Sequence, residues 1–282
     1  MSLLRHGLAA VLLAAAATQV AAASTPASVL VDELTWTELR DAIKAGKTTV
    51  IVPVGGTEQS GPHIALGKHN VRARALAARI ATSLGNALVA PVIAYVPEGA
   101  IDPPVGHMRF AGTISIPQSA FEATLEGAAR SFRQAGFRDI VLIGDHGGYQ
   151  TSLAKVAAKL DREWAASAVR VHAISEYYLA AERDFAQALR RLGFSEAEIG
   201  THAGAADTSL SLAVDDQLVR SSLLHDGSAL GPANGVHGDP RRASAAAGRV
   251  GLDLIVARTA KRRHVVTDAR PRAGSRRGCA AL

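Results

Sequence analysis

The segment Thr48-Thr49-Val50-Ile51-Val52-Pro53-Val54-Gly55-Gly56-Thr57-Glu58 determines the fold of this 282-residue chain. Its first part, 48–54, is a continuous run rich in β-branched residues. It lacks the polar alternation of a strand that faces water on one side, so it predicts a strand buried on both faces, as in parallel sheets. Two glycines and a carboxylate follow at the strand's carboxyl end, where open α/β sheets bind their ligands.

Helix-like and strand-like segments alternate along the rest of the chain. Thr35 and Glu38 predict a capping box at the start of a helix that ends near Gly46. Further helices are predicted over 70–84, 118–135, 150–164, 175–192 and from about 241 to 260, and further strands over 87–96, 139–143, 169–174 and 209–214. This alternation predicts one α/β domain, a three-layer α/β/α sandwich with a mostly parallel central sheet.

The N-terminal segment has the order of a signal peptide. Arg5 and His6 precede an apolar run at 7–17, and Ala21-Ala22-Ala23 offers small residues for cleavage before Ser24. The alternative is a buried N-terminal helix. No later segment approaches the roughly 20 apolar residues of a membrane helix. We therefore expect a signal peptide at 1–23, a domain at 24–260, and an exported (periplasmic or secreted) protein without stable membrane insertion.

The net charge of +6 resides mainly in the C-terminal tail. Residues 261–282 carry seven basic side chains against Asp268, which leaves the predicted domain close to neutral. A solvated, disordered tail is therefore favoured over a binding arm, and no nucleic-acid partner is expected. The single cysteine, Cys279, also lies in this tail and cannot form an intramolecular disulfide.

Three glycine-flanked clusters of histidine and carboxylate residues follow apolar runs. They are 55–63 with 67–70, 144–148, and 201–209. Glycine lets backbone approach a ligand closely, and imidazole and carboxylate groups bind divalent metals. A lone loop histidine is more often structural, but three such clusters predict a metal site. A phosphate-binding loop is the competing interpretation, and neither of its glycine motifs is present at these turns.

These clusters resemble the motifs of the creatininase family. The segment 52–63 resembles its signature, 110–115 with His107 its second element, 145–148 its glycine-rich loop, and 202–209 its last motif; 234–240 resembles a turn before its final helix. The matches keep the family's order from about residue 30 to 255. The resemblance implies a layered α/β/α fold, commonly a hexamer, and divalent metal ions that activate water against an amide carbon. It assigns Glu58, His69 and His146 as metal ligands.

Three residues depart from the family pattern. Ser60 replaces a histidine, His69 replaces a bridging aspartate, and Gly148 occupies the position of a carboxylate ligand in creatininase. Serine is a poor ligand, and an imidazole cannot bridge two cations as a carboxylate does. We therefore expect one zinc or manganese ion per chain rather than two.

The remaining polar residues receive provisional roles. His202 is the candidate proton donor, and Asp207 is expected to orient it, act as a base or join the metal shell. Asp145 is expected to fix a ligating imidazole or to be an ordinary turn residue. The predicted pocket residues are Ser60, His63, Lys68, His107, Asp145, Gly147 and Gly148, of which His63 and His107 equally suit structural roles. His172, His225, His237 and His264 are predicted to lie outside the site.

The sequence thus predicts a metal-dependent hydrolase of a small, non-peptide and preferably cyclic amide. A non-catalytic exported binding protein on the same fold is the alternative kept open by Ser60 and His69. A lactonase is the third interpretation, because metal-activated water also attacks esters.

Overall fold

The computed structural model describes residues 28–224 and 230–268. The predicted signal peptide and most of the predicted tail lie outside these ranges, so export and tail disorder remain predictions. Within the described ranges, no helix combines the length and the apolarity needed to cross a bilayer.

Four parallel strands form the central sheet. They are β1 (Thr49–Val54), β2 (Ala87–Val89), β3 (Asp139–Gly144) and β4 (Arg170–Ala173), in the order β2-β1-β3-β4. β1 and β3 pair in register from Thr49 opposite Asp139 to Val54 opposite Gly144. Because the two central strands end level with each other, the residues that follow them emerge side by side.

Helices cover both faces of the sheet. Their bounds are α1 Trp36–Lys44, α2 Lys68–Leu84, α3 Gln118–Ala135, α4 Gln150–Glu163, α5 Glu176–Leu179, α6 Ala186–Arg191, α7 Glu196–Ile199, α8 Ala205–Val214 and α9 Ala245–Asp268. A π-helical turn, Ala180–Phe185, joins α5 to α6, so the predicted helix at 175–192 is nearly continuous. The predicted capping box is confirmed: Thr35 and Glu38 satisfy each other's backbone N–H groups.

Alternate side chains of the central strands enter two separate cores. Ile51 and Val141 pack with apolar residues of α2, α6, α8 and α9. Val50 and Ile140, one position earlier, pack with residues of α1, α3 and α4 on the other face. All six residues of β1 are buried, as predicted for a strand covered on both sides. The three-layer α/β/α fold with a parallel sheet is therefore confirmed.

Three predicted elements need correction. The strand predicted at 209–214 is wrong, because these residues complete helix α8, which packs closely on α9 near Gly248. A short apolar run cannot distinguish a strand from a buried helix. β2 ends at Val89, and one isolated bridge joins Ile93 to β1, since Pro91 cannot donate to the ladder. The last helix begins at Ala245 and includes the first residues of the predicted tail.

Candidate metal centre

A cavity of about 770 Å³ opens at the carboxyl ends of β1 and β3. Tyr149, a fully buried residue, joins the loops that follow β1 and β3 through hydrogen bonds. Its hydroxyl lies 2.6 Å from the Gly55 carbonyl oxygen and accepts from the backbone N–H groups of Asp145 and His146. This contact holds the loop after β3 against the loop after β1.

Glu58 lies at the centre of the site with no exposed side-chain surface. Four imidazoles surround its two carboxylate oxygens. Oε2 lies 2.9 Å from His69 Nε2 and 3.6 Å from His146 Nε2. Oε1 lies 3.1 Å from His107 Nε2 and 3.5 Å from His202 Nδ1. The structure therefore brings together the predicted ligands Glu58, His69 and His146 and adds two further histidines.

The charges of the site favour an ionised Glu58 beside two neutral imidazoles, those of His146 and His202. Burial alone would raise the pKa of Glu58, but the His69 hydrogen bond and the Lys68 charge hold it well below its usual range. Burial, with a contribution from His69, lowers the pKa of His146 to about 4. Burial and Lys68 lower the pKa of His202 to about 4. At neutral pH these two rings are uncharged, as metal ligation requires. His146 accepts from the Gly148 N–H at Nδ1, at 3.1 Å.

His69 is held between two carboxylates. Its Nδ1 lies 2.7 Å from Asp145 Oδ2, while Nε2 faces Glu58. Asp145 also accepts from Arg72 Nε at 2.8 Å and from the Tyr177 hydroxyl at 2.7 Å. Burial would lower the pKa of His69, but the hydrogen bonds to Asp145 and Glu58 outweigh it and raise that pKa. Asp145 thus makes the ring contact that a residue orienting a metal-ligating imidazole must make.

Asp207, a partly buried residue, forms an ion-pair cluster with two buried cations. Lys68 Nζ lies 3.1 Å from its Oδ2, and Arg72 Nη1 lies 3.2 Å from its Oδ1. The Ala203 N–H also donates to it. These cations hold the pKa of Asp207 well below its usual range despite burial. The observed contacts place Asp207 as the partner of Lys68 and Arg72 rather than of His202.

Gln59 fixes the protons of two histidines. Its Oε1 accepts from the Gly61 N–H, so its Nε2 is the donor that lies 2.6 Å from His107 Nδ1. His107 therefore carries its proton on Nε2 when neutral. His202 Nε2 lies 2.9 Å from the Gln59 carbonyl oxygen and donates to it, which leaves the Nδ1 lone pair directed at Glu58.

Sequence reasoning missed one buried carboxylate of the site, Glu98. Its side chain has no exposed surface, and Oε2 lies 3.6 Å from His146 Nδ1. Burial and the neighbouring Glu58 raise the pKa of Glu98 to about 8. The local signal, an acid in Val96-Pro97-Glu98-Gly99 downstream of β2, is too short to distinguish from an ordinary loop residue.

The site fits a divalent metal ion. Among the described residues, two groups bring three ligand atoms within 4.8 Å of one another. They are Glu58 with His107 and His202, and Glu58 with Glu98 and His146; His69 is in neither. Both Glu98 oxygens and Glu58 Oε1 are buried without a hydrogen-bond partner. Buried oxygen and nitrogen atoms whose lone pairs meet no hydrogen-bond donor are the atoms that a bound cation satisfies.

The remaining predicted residues are distributed unequally. Those that line the cavity are Lys68, His69, His107, Asp145, His146, Gly147, His202 and Asp207. The predicted pocket positions Ser60 and His63 are instead fully buried outside the lining, and Gly148 is also outside it. His237, predicted to lie elsewhere, lines the cavity because its backbone pairs with His202.

A family profile and one relative match this chain over most of its length, and a second relative matches less than half of it. The Creatininase family profile, described as creatinine amidohydrolase, matches residues 32–262. Creatinine amidohydrolase of Pseudomonas putida is 30% identical over 197 residues, which cover 68% of this chain and 74% of that protein. The mycofactocin precursor peptide peptidase of Mycolicibacterium smegmatis is 38% identical over 119 residues, 40% of this chain and 45% of the peptidase's length.

Solved creatininase structures share the fold. A zinc–zinc form of a creatininase mutant is 26% identical with a TM-score of 0.69 and covers 86% of this chain and 99% of its own. A manganese form of creatininase is also 26% identical, with a TM-score of 0.68, and the match covers 86% of this chain and 100% of the creatininase chain. With the profile match, the shared fold and the metal-fitting site, this chain belongs to the creatininase family of metal-dependent amide hydrolases.

Proposed function

We propose that this protein hydrolyses the C–N bond of a small non-peptide amide, preferably a cyclic one. The buried Glu58 surrounded by four imidazoles at the cavity carries this proposal. A volume of about 770 Å³ lies in the range of small-molecule sites.

One zinc or manganese ion is proposed to be held by Glu58, His69 and His146, with Asp145 orienting His69. A bound divalent ion would supply Lewis-acid activation of water and of the scissile carbonyl. Lys68 and Arg72 keep Asp207 ionised and charge-neutralised at the cavity wall. The substrate is thus expected to meet a fixed polar wall opposite the metal ligands.

The proton for the leaving nitrogen has two candidate sources. His202 is the sequence-based candidate, but its Nε2–H is already donated to the Gln59 carbonyl oxygen. Since His107 accepts from Gln59 at Nδ1, its proton is on Nε2, which lies 3.1 Å from Glu58 Oε1 without a hydrogen bond to it, and His107 is therefore the better-placed donor. Replacing His107 with Ala is therefore expected to lower kcat while metal content persists.

A peptide bond is the second candidate substrate, since a mycofactocin precursor peptide peptidase resembles part of this chain. The test is a panel of lactams, matched lactones and short capped peptides, assayed with zinc- or manganese-loaded protein. Lactam turnover that disappears in Glu58→Gln would support the proposal. Preferential lactone or peptide turnover would reassign the substrate, and bound metal without turnover of any class would favour the binding-protein alternative.

Export and a homo-oligomeric, hexameric assembly are also proposed, from the sequence and the family resemblance. Cell fractionation with N-terminal sequencing tests cleavage before Ser24. Light scattering during gel filtration tests the hexamer, and a monomeric mass at micromolar concentration would contradict it.

A further inference from the structure

We propose that Glu98 is a direct ligand of the metal ion, in one group with Glu58 and His146. This inference rests on the proposed metal-dependent function and adds a residue that no motif of the sequence indicated.

Glu98 is a buried carboxylate without a hydrogen-bond donor. Its side chain has no exposed surface, and both of its oxygens lack a hydrogen-bond partner. An unpaired buried carboxylate costs several kcal/mol unless a cation or hydrogen-bond donors satisfy it or a proton neutralises it. A fold that keeps such a group beside His146 is therefore expected to bring a cation to it.

The geometry fits coordination of one ion. Ligand atoms from Glu58, Glu98 and His146 all lie within 4.8 Å of one another. Ligands bound at about 2.0–2.2 Å stand roughly 3–4 Å apart around a zinc ion. The two 3.6 Å distances involve different nitrogens of His146, Nε2 to Glu58 Oε2 and Nδ1 to Glu98 Oε2. Since one imidazole gives one nitrogen to an ion, only one of these spacings belongs to a coordinated ion, and the three ligand atoms would draw closer together around it.

The local charges leave room for a divalent ion. Asp145 is paired with Arg72, and Asp207 with both Lys68 and Arg72. Glu58 and Glu98 face imidazoles, without an ion pair to lysine or arginine among the described residues. One divalent cation would match the two negative charges of these glutamates.

Neighbouring residues fix the backbone at Glu98 and border its carboxylate. The Glu98 N–H donates to Ser115 Oγ at 3.0 Å, and Ser115 donates on to the Gly99 carbonyl oxygen. Gly56 has φ +149°, and a Cβ there would lie 2.6 Å from Glu98 Oε1. A Cβ at Gly148 would lie near His146 and the Pro97 carbonyl oxygen. Gly148, which occupies the position of a carboxylate ligand in creatininase, thus lies next to the segment that carries Glu98.

The test compares Glu98→Gln with Glu182→Gln, a matched change at a carboxylate that lines the cavity and belongs to neither ligand group. Zinc affinity is measured by chelator competition and zinc content by elemental analysis. Changes around metal ligands cost 10–100-fold in affinity, so loss of a ligand is expected to weaken binding by at least about 100-fold. Glu182→Gln is expected to bind zinc as wild type does.

Thermal unfolding of the metal-free proteins distinguishes a ligand from a structural residue. Since Glu98 makes no side-chain hydrogen bond, Glu98→Gln should retain or raise the metal-free Tm and lose the zinc-induced rise. A lower metal-free Tm with unchanged zinc affinity would overturn the inference. Wild type that binds no zinc or manganese would instead overturn the proposed function itself.

A crystal structure of the zinc-loaded wild type provides a measurement that does not depend on a variant folding. A Glu98 oxygen within about 2.0–2.2 Å of the zinc would support the inference. A Glu98 carboxylate more than about 3 Å from the zinc would overturn it.

Discussion

His63 is expected to make the metal-free protein sensitive to mild acid. It is fully buried, and its Nε2 lies 3.1 Å from Thr208 Oγ1 while Nδ1 has no partner. Burial and the charge of Lys68 lower its pKa from 6.5 to about 4. The perturbation is His63→Gln, which can keep a hydrogen bond to Thr208 but cannot titrate.

The sign follows from proton uptake by the two states. Above pH 6.5 His63 is neutral in both, and its contribution to stability is complete. Between pH 6.5 and about 4 the unfolded chain binds a proton that the folded protein excludes, so stability falls. A difference of about 2.5 pKa units corresponds to about 3.4 kcal/mol, of which about 3 kcal/mol is lost by pH 4.

The assay is urea unfolding of metal-free protein at a series of pH values from 7.5 to 4. Wild type should lose about 3 kcal/mol more than His63→Gln over this range. His146 and His202 contribute with the same sign in both proteins and cancel in the comparison. The control, Thr208→Val, removes the hydrogen-bond partner but should keep the wild-type pH slope. Equal slopes for wild type and His63→Gln would refute the reasoning.

Three further predictions concern the metal site and its surroundings. Glu58→Gln is expected to lower zinc affinity at least about 100-fold, because it removes the carboxylate shared by both ligand groups; chelator competition measures this. Tyr177→Phe removes a 2.7 Å hydrogen bond to buried Asp145 and should cost about 1.5–3 kcal/mol in urea unfolding. Gly56→Ala should cost about 1–3 kcal/mol in the same assay, because of its positive φ, and should displace Glu98, seen as weaker zinc binding.

The sequence predicted the fold well where burial leaves a distinctive pattern. The β-branched run of β1 is buried on both faces and has no polar alternation, so its strand and the parallel sheet could be inferred. The capping box at Thr35 is equally local and was confirmed. Helix α8 was mistaken for a strand because its periodicity is hidden by burial against α9. The local sequence pattern carries no information about the packing of α8 on α9.

The site was predicted only in part, for a related reason. The proposed ligands Glu58, His69 and His146 belong to glycine-rich clusters, which can be recognised in the sequence. Glu98 and His237 lie in loops that bring them to the site, and the course of such loops is not indicated by any periodic pattern in the sequence. The exclusion of Ser60 and His63 from the cavity likewise depends on a turn at 60–64 that points them into the interior.

The departures at positions 69 and 148 have a common electrostatic consequence. Replacing an aspartate by His69, and a carboxylate by Gly148, removes two negative charges from the family pattern, while Glu98 restores one. With Asp145 and Asp207 already paired to Arg72 and Lys68, the carboxylates that remain for metal are Glu58 and Glu98. Two divalent ions would leave an excess of two positive charges among buried imidazoles, which is costly in a site of low polarisability. One ion is neutralised, so the charge balance favours the mononuclear centre expected from the sequence.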